Sequence, residues 1–398
     1  MAGTRRFELV EGSSSKFWEV TVADGSYTVT YGRIGTAGGS KTTESATAEA
    51  DAEKLVREKL KKGYQEAGAA EANWRPPVHV GTEKHIERFL NYKVTGFNPD
   101  GEGEVDDYGR RELPALRDLD KLVFRVGVTY DDDPNAFVTR LDALLADPRV
   151  GDLRALVIGN WFADVCEDPP RELVARLLAR GKELRSLEGL FVGDIIQEEC
   201  EISWLHQMNY SDVLRALPQL REFWVRGGDG LRFLDLEHAS LRTLTVQTGG
   251  LSKGAVQDIA SARLPELQTL TLWFGSDNYG ATSDVSDLAP ILSGEQFPKL
   301  EHLGLQNSED ADAIAVAVAA SPILGRLKGL DLSMGTLTDE GARALLAAPA
   351  VRGLRHLNLR YHYVSPEVVK QLKGLGIEVN TADRQEPDGD YMFAEVTE

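Results

Sequence analysis

The groups best suited to chemistry are His302, Asp331 and His356, which lie on nearby look-alike segments. Two imidazoles and a carboxylate can relay a proton, yet no serine or cysteine stands in matching register as the nucleophile such a relay serves. Neighbouring strands set side chains roughly 5 Å apart, so groups on separate segments converge on one substrate atom only by coincidence. Phosphate-binding glycine loops, Cys-x-x-Cys pairs and His-Glu-x-x-His helices do not occur in the sequence. Glu198, Glu199 and Glu201 form an acidic run that could hold a cation, although a solvated loop is the simpler reading. Cys166 and Cys200 have no cysteine or histidine at metal-ligand spacing and are expected as ordinary reduced thiols. The expectation is a chain with no enzymatic activity, no cofactor and no metal.

These groups need a frame, and an internal repeat supplies it. A Leu-x-x-Leu-x-Leu-like register recurs at Leu119-Leu122-Phe124, Leu153-Leu156-Ile158, Leu187-Leu190-Val192, Leu220-Phe223-Val225 and Leu241-Leu244-Val246. It continues at Leu267-Leu270-Leu272, Leu300-Leu303-Leu305, Leu327-Leu330-Leu332 and Leu354-Leu357-Leu359. The first leucines are 34, 34, 33, 21, 26, 33, 27 and 27 residues apart. Helical patterns fill the gaps, over residues 170–178, 310–320 and 339–347. A strand and a helix alone cannot bury these leucines, but stacked neighbours can.

In each strand the leucine-type side chains point into that core, and the residues between them point the other way. The second face then carries Phe191, Trp224, Arg226, Gln247, Trp273, His302, Gln306, Asp331, Ser333, His356, Asn358 and Arg360. Aromatic and arginine side chains on an otherwise polar strand face suit a surface that binds a protein. The alternative is that the insertions after Val192 and Leu272 cover the face and hide the aromatics. The last unit, Gly376 to Asn380, is irregular, and 391–396 alternates like a strand that caps the open sheet edge.

The first 66 residues read differently. Phe7 to Glu11 and Lys16 to Val22 alternate as half-buried strands do, and Asp24-Gly25 marks a hairpin turn before Tyr27 to Tyr31. From about Thr47 the period becomes helical, with Ala50, Leu55, Val56 and Leu60 on one side, and it stops at Lys61-Lys62-Gly63. Tyr31-Gly32-Arg33-Ile34-Gly35, the Phe17-Trp18 pair, Gly38-Gly39 and the closing Lys-Lys-Gly-Tyr resemble the WGR domain in its bacterial form. The resemblance runs from Phe7 to about Tyr64, with Tyr31 in the place of the namesake tryptophan. It implies a small antiparallel sheet with one helix, and in relatives of this kind the aromatic and the arginine contact DNA ends. For Tyr31 and Arg33 three roles are open: nucleic-acid contact, seating a protein carboxylate, or internal packing with Tyr31 in the sheet core and Arg33 pinning the turn.

Further on, Ala155 to Gly159, Phe191 to Ile195, Glu199 to Trp204, Val225 to Gly228, Asp331 to Thr336 and Asp383 to Pro387 are similar to a bacterial leucine-rich-repeat family. That resemblance implies a fold, and genes beside ATP-grasp and radical-SAM-type enzymes, but no activity. The expected fold class is α/β: a WGR-like sheet and helix over 1–66, a linker over 67–78, and a right-handed leucine-rich-repeat solenoid over 79–398. The solenoid is expected in the ribonuclease-inhibitor style, with a parallel concave sheet, convex helices and caps at both ends. A surface loop is expected over 96–108, and the apolar pattern around Ile86, Phe89 and Leu90 suits the start of a cap.

The net charge of −19 sits entirely in the second part, because residues 1–66 hold ten acidic and ten basic side chains. A polyanion is repelled there, which disfavours nucleic acid as a partner and leaves a protein partner as the expectation. No apolar run approaches the roughly 20 residues of a membrane span, and no apolar signal core follows Met1, so a cytoplasmic protein with no membrane partner is expected. The register makes one quantitative claim. Leu330→Ala should cost ~2–5 kcal/mol in equilibrium denaturation, and a variant that melts like the parent would remove Leu330 from the core.

Overall fold

The computed structural model describes residues 4–11, 14–23, 25–33, 38–62, 64–66, 77, 81–101, 103, 105–106, 108–162 and 168–397. Most of the expected linker, along with Ile34, Gly35 and Cys166, lies outside the described residues. The chain divides into two compact units, residues 1–77 and 78–398.

In the first unit the strands are β1 (Thr4–Glu11), β2 (Ser14–Ala23), β3 (Ser26–Arg33), β4 (Gly39–Glu44) and β5 (Gln65–Glu66), with one helix, α1 (Ala48–Lys61). They form one antiparallel sheet in the order β4-β3-β2-β1-β5. Strand alternation puts Phe7, Trp18 and Val20 on the face that meets α1. The helix answers with Ala52 and Val56, one turn apart. Leu55 packs at the margin, whereas Ala50, expected on this side, is exposed. Phe17 points to the opposite face and is also buried. Gly38, at φ +70°, closes over it; a Cβ there would lie 2.7 Å from both the Phe17 ring and the Tyr31 carbonyl oxygen, so only glycine fits.

The second unit is built on β6 (Arg88–Phe89), β7 (Tyr92–Phe97), β8 (Glu112–Leu113), β9 (Leu122–Val126), β10 (Ala155–Ile158), β11 (Gly189–Val192) and β12 (Glu222–Arg226). It continues through β13 (Thr243–Gln247), β14 (Thr269–Gly275), β15 (His302–Ser308), β16 (Gly329–Asp331), β17 (His356–Asn358) and β18 (Glu378–Asn380). The sheet order is β18 down to β9 without a break, then β7 and β6, with β8 beside β7. All these pairings are parallel except the β6–β7 hairpin. Parallel neighbours need a crossover. The helices α2 (Ala136–Ala146), α3 (Arg171–Arg180), α4 (Ser211–Ala216), α5 (Lys253–Ser261), α6 (Ala289–Leu292), α7 (Ala311–Ala319), α8 (Asp339–Ala347) and α9 (Pro366–Lys373) lie in these connections.

One apolar core runs from Phe97 to Leu375 between sheet and helices. The register places like against like: Leu303, Leu330 and Leu357 are cross-strand partners on β15, β16 and β17, and all are fully buried. The apolar pattern around Phe89 becomes the β6–β7 hairpin, with Leu90 and Asn91 at φ 48° and 65° in its two-residue turn. The expected surface loop at 96–108 begins inside β7 and includes a bridge between Val105 and Arg111. No described helix is long and apolar enough to cross a membrane.

Candidate functional site

The residues expected on the second strand face are there, but the face is not open. Phe191, Arg226, Gln247, Trp273, His302, Gln306, Asp331, Ser333, His356 and Asn358 are all buried, and Trp224 is half-buried. The expectation of solvent-facing aromatics is thus corrected: three segments of the chain lie on them. The first is the β6–β7 hairpin. Phe89 meets Phe191 and Trp224 at ring separations of 6.3 and 5.4 Å, in an apolar cluster with Ile86, Val123, Ala155 and Val157. Gly189 makes room for it, since a Cβ there would come within 2.7 Å of Leu90 and 2.9 Å of Phe89.

The second covering segment follows Val192 and is held by charge. Asp194 is fully buried, and its carboxylate oxygens accept from Arg125 Nε at 3.0 Å and from the Ile86 amide at 3.1 Å. Arg125 Nη2 donates to the Asp194 carbonyl at 2.9 Å, and the His85 ring nitrogen Nδ1 is 3.0 Å from the same oxygen. Burial alone would push the Asp194 carboxyl up. The hydrogen bond from His85 and the charges of Arg125, His85 and Arg226 overcome this and hold it well below the usual carboxylate range. Arg226, also fully buried, donates to the Ile195 carbonyl at 2.6 Å, to the Gly81 carbonyl at 2.9 Å and to Gln247 at 3.0 Å. Burial brings its pKa down to about 10 against the opposing pull of Asp194 and Glu199, so it stays charged at neutral pH. Glu199 is not part of a solvated or cation-binding loop: its carboxylate lies 3.4 Å from His85 and 3.7 Å from Arg125. Among the described residues no group of three or more His, Cys, Asp or Glu side chains could hold a metal ion.

The third segment is the C-terminal strap, 393–397. The alternation of 391–396 suits an edge strand, but among the described residues β18 pairs with β17 alone and the strap runs over the strand face instead. The Glu395 amide donates to the Met334 carbonyl at 2.8 Å, and Arg360 pairs with the Glu395 carboxylate. Asn307 takes both main-chain groups of Val396: the Val396 amide donates to its Oδ1 at 2.9 Å, and its Nδ2 donates to the Val396 carbonyl. The Val396 side chain packs on Ile202, Trp273 and Met334. Gly249 is needed for this path, because a Cβ there would sit 2.5 Å from the Thr397 carbonyl oxygen. Beside the strap a cleft of about 740 Å³ opens between Thr82, Lys84, Gln197 and Arg360.

The three groups of the possible proton relay lie on neighbouring strands. His302 and His356 flank Gly329 on successive strands. Asp331 spends its oxygens on the Ser333 amide at 3.0 Å and the Asn358 side chain at 2.8 Å. Burial pushes His302 down to about 4, with the Asp331 charge opposing and His356 adding to it, so the imidazole is neutral under ordinary conditions. A polar ladder runs beside them: Trp273 donates to Gln306 at 2.9 Å, and Gln306 to Ser333 at 2.9 Å. In the first unit Tyr31 is 55% exposed rather than in the sheet core, and Arg33, two residues along β3, is also exposed.

Sequence reasoning missed Asp194, His85, Arg125 and Asn307. Arg125 stands between Phe124 and Val126, at the alternate position that marks the second face, and Asp194 and Asn307 left a different trace. Each of these two stands at or just beyond the end of a strand, Asp194 next to Gly193 at φ 95° and Asn307 itself at φ 55°. Such positions turn side chains out of the ladder.

Residues 3–71 match the WGR domain family. A comparison with curated proteins gave no match. Among solved structures the chain is similar to the crystal structure of a Bacteroides fragilis protein, at 29% identity over 99% of each chain and a TM-score of 0.64.

Asp194→Asn keeps the shape and removes the charge that Arg125 is buried against. It should cost about 3–5 kcal/mol in urea denaturation near neutral pH. Because the native pKa of Asp194 is depressed, its contribution is complete above the ordinary carboxylate value of about 3.9 and fades as pH falls through the lower native one. A parent–variant difference that stays constant through the acid limb would overturn this account.

Proposed function

We propose that this chain is a non-catalytic, cytoplasmic protein-interaction scaffold, with residues 79–398 forming a right-handed leucine-rich-repeat solenoid of the ribonuclease-inhibitor style. Its partner is a protein, bound on the strand face. The stacked leucine register supports the solenoid reading. The observation that carries the binding reading is the Asn307 amide, which pairs with the amide and carbonyl of one main-chain residue, Val396. A side chain set to read extended main chain is a device for holding polypeptide, independent of what that polypeptide's side chains are. The aromatics that first suggested a binding surface serve as its floor and buttress. The accessible rim is the cleft between Lys84, Gln197 and Arg360.

Photo-crosslinking from within cells tests this. A photoreactive residue at Lys84, on the cleft, should yield protein adducts, and one at Glu367, exposed on α9, should not. Equal labelling from both positions, or none from Lys84, refutes binding at this face.

A second reading, a nucleic-acid-binding regulator, is favoured by one observation: Tyr31 and Arg33 are exposed on alternate residues of β3, where an aromatic ring and a guanidinium can meet a sugar and a phosphate together. It requires salt-sensitive binding of a duplex oligonucleotide that weakens in Arg33→Ala. A flat anisotropy titration at low salt eliminates it.

A further inference from the structure

We infer that the groove beneath the strap is a binding site for an extended partner segment bearing an acidic residue followed by a β-branched apolar residue, and that the chain's own C-terminus fills it in cis as a stand-in ligand. This rests on the reading of the strand face as protein-binding, and it adds the ligand class and the means of control.

The groove has three recognition elements, each matched by one feature of the strap. Arg360 reads the acidic side chain at 395, and its second nitrogen is anchored to Asp383 at 2.8 Å, which holds the guanidinium in place before any ligand arrives. The pocket formed by Ile202, Trp273 and Met334 takes the apolar side chain at 396, and its walls are buried. Asn307 fixes the main chain between them, and the bare Cα of Gly249 leaves room for the next carbonyl. These elements read Glu-Val in sequence and demand extended backbone around it.

Ahead of this stretch the strap is held at the rim, where the Tyr363 hydroxyl accepts from the Phe393 amide at 3.0 Å and donates to the Phe393 carbonyl at 3.1 Å, and Ala394 is buried. The approach is exposed: Tyr391 is 70% and Phe393 52% accessible, and those two rings stack on each other rather than on the sheet. A segment held by few buried contacts opens at much lower cost than the core beneath it. The adjoining cleft, lined by Lys84 and Gln197, has space for residues flanking an incoming motif. Tethering gives the strap an effective concentration on the order of millimolar, so it screens the groove from weak ligands and yields to a better-matched segment.

The test uses the full chain and a fluorescein-labelled synthetic peptide of residues 390–397. Glu395→Arg with Val396→Asp spoils the tethered strap and leaves the groove intact. The peptide should bind this variant at least tenfold more tightly than it binds the parent. Adding Gly249→Val, which blocks the path of the main chain, should abolish that binding. Equal affinity for parent and variant, or binding that survives Gly249→Val, overturns the inference. If the strap variant does not fold, hydrogen exchange on the parent decides: the Glu395 and Val396 amides should exchange well before that of Leu330, and exchange only with global unfolding sinks the proposal. A parent dimer in sedimentation that the peptide dissolves would assign the groove to the tail of a second copy, and would also overturn it. Failure of the peptide while Lys84 still yields adducts leaves the strand-face reading standing and removes only this one.

Discussion

A carboxylate with no exposure to water must be paid for by its neighbours, and Asp194 is such a group. Its oxygens bind a strand arginine, Arg125, and the main chain at Ile86, while its own amide hydrogen-bonds to the end of β10. Residues separated by as many as 108 positions in the chain are thereby held at one point. The pairing is sensitive in one direction. With every partner present the charge is well satisfied, and without one of them an ion is left stranded in the interior. The approach to β6, the insertion after β11 and the strands beneath therefore have one mutual arrangement that solves the charge problem. Arg226 extends the same constraint by binding the carbonyls of Ile195 and Gly81 across two strands.

That constraint gives the sheet two packed faces. On the helix side, leucines stack in register and the energy is that of apolar burial. On the other side the packing is mixed. Phe89, Phe191 and Trp224 form an aromatic patch near the start of the array. Past it, charge, amide ladders and finally the strap take over. The two faces differ in how easily they could be undone. The leucine core can be exposed only by unstacking neighbouring units, whereas the strap leaves by breaking a handful of local contacts. A face that is covered but lightly held is compatible with a folded resting state and with the proposed recognition of another chain.

The candidate site was legible in part. Period-2 alternation identified Trp273, Gln306, Asp331 and Arg360 as residues of the second face, because side-chain direction along a strand follows from position alone. It could not tell an exposed face from a covered one. Trp273 looks the same in sequence whether water or Val396 lies over it, and Tyr31, for which a place in the sheet core was one of three open roles, is exposed. Glu199 was read as solvated for the same reason: its neighbours His85 and Arg125 are more than seventy positions away. The strap was recognised as extended but assigned to the sheet edge, since alternation says nothing about which surface an extended segment will join.

By itself, the sequence determined what repeats and what alternates. The leucine register from Leu119 to Leu359, the helical segments between its members and the separate antiparallel module at the start all follow from local periodicity, which each stretch of chain carries without reference to any other. Tertiary structure alone decided what covers the second face. Covering depends on pairings such as Asp194 with Ile86, Arg226 with Gly81 and Asn307 with Val396, each spanning tens to more than a hundred residues with no periodic trace. Such contacts arise because buried charges and main-chain groups must find partners once the leucines have brought the chain together, and the choice among partners is made by geometry in space.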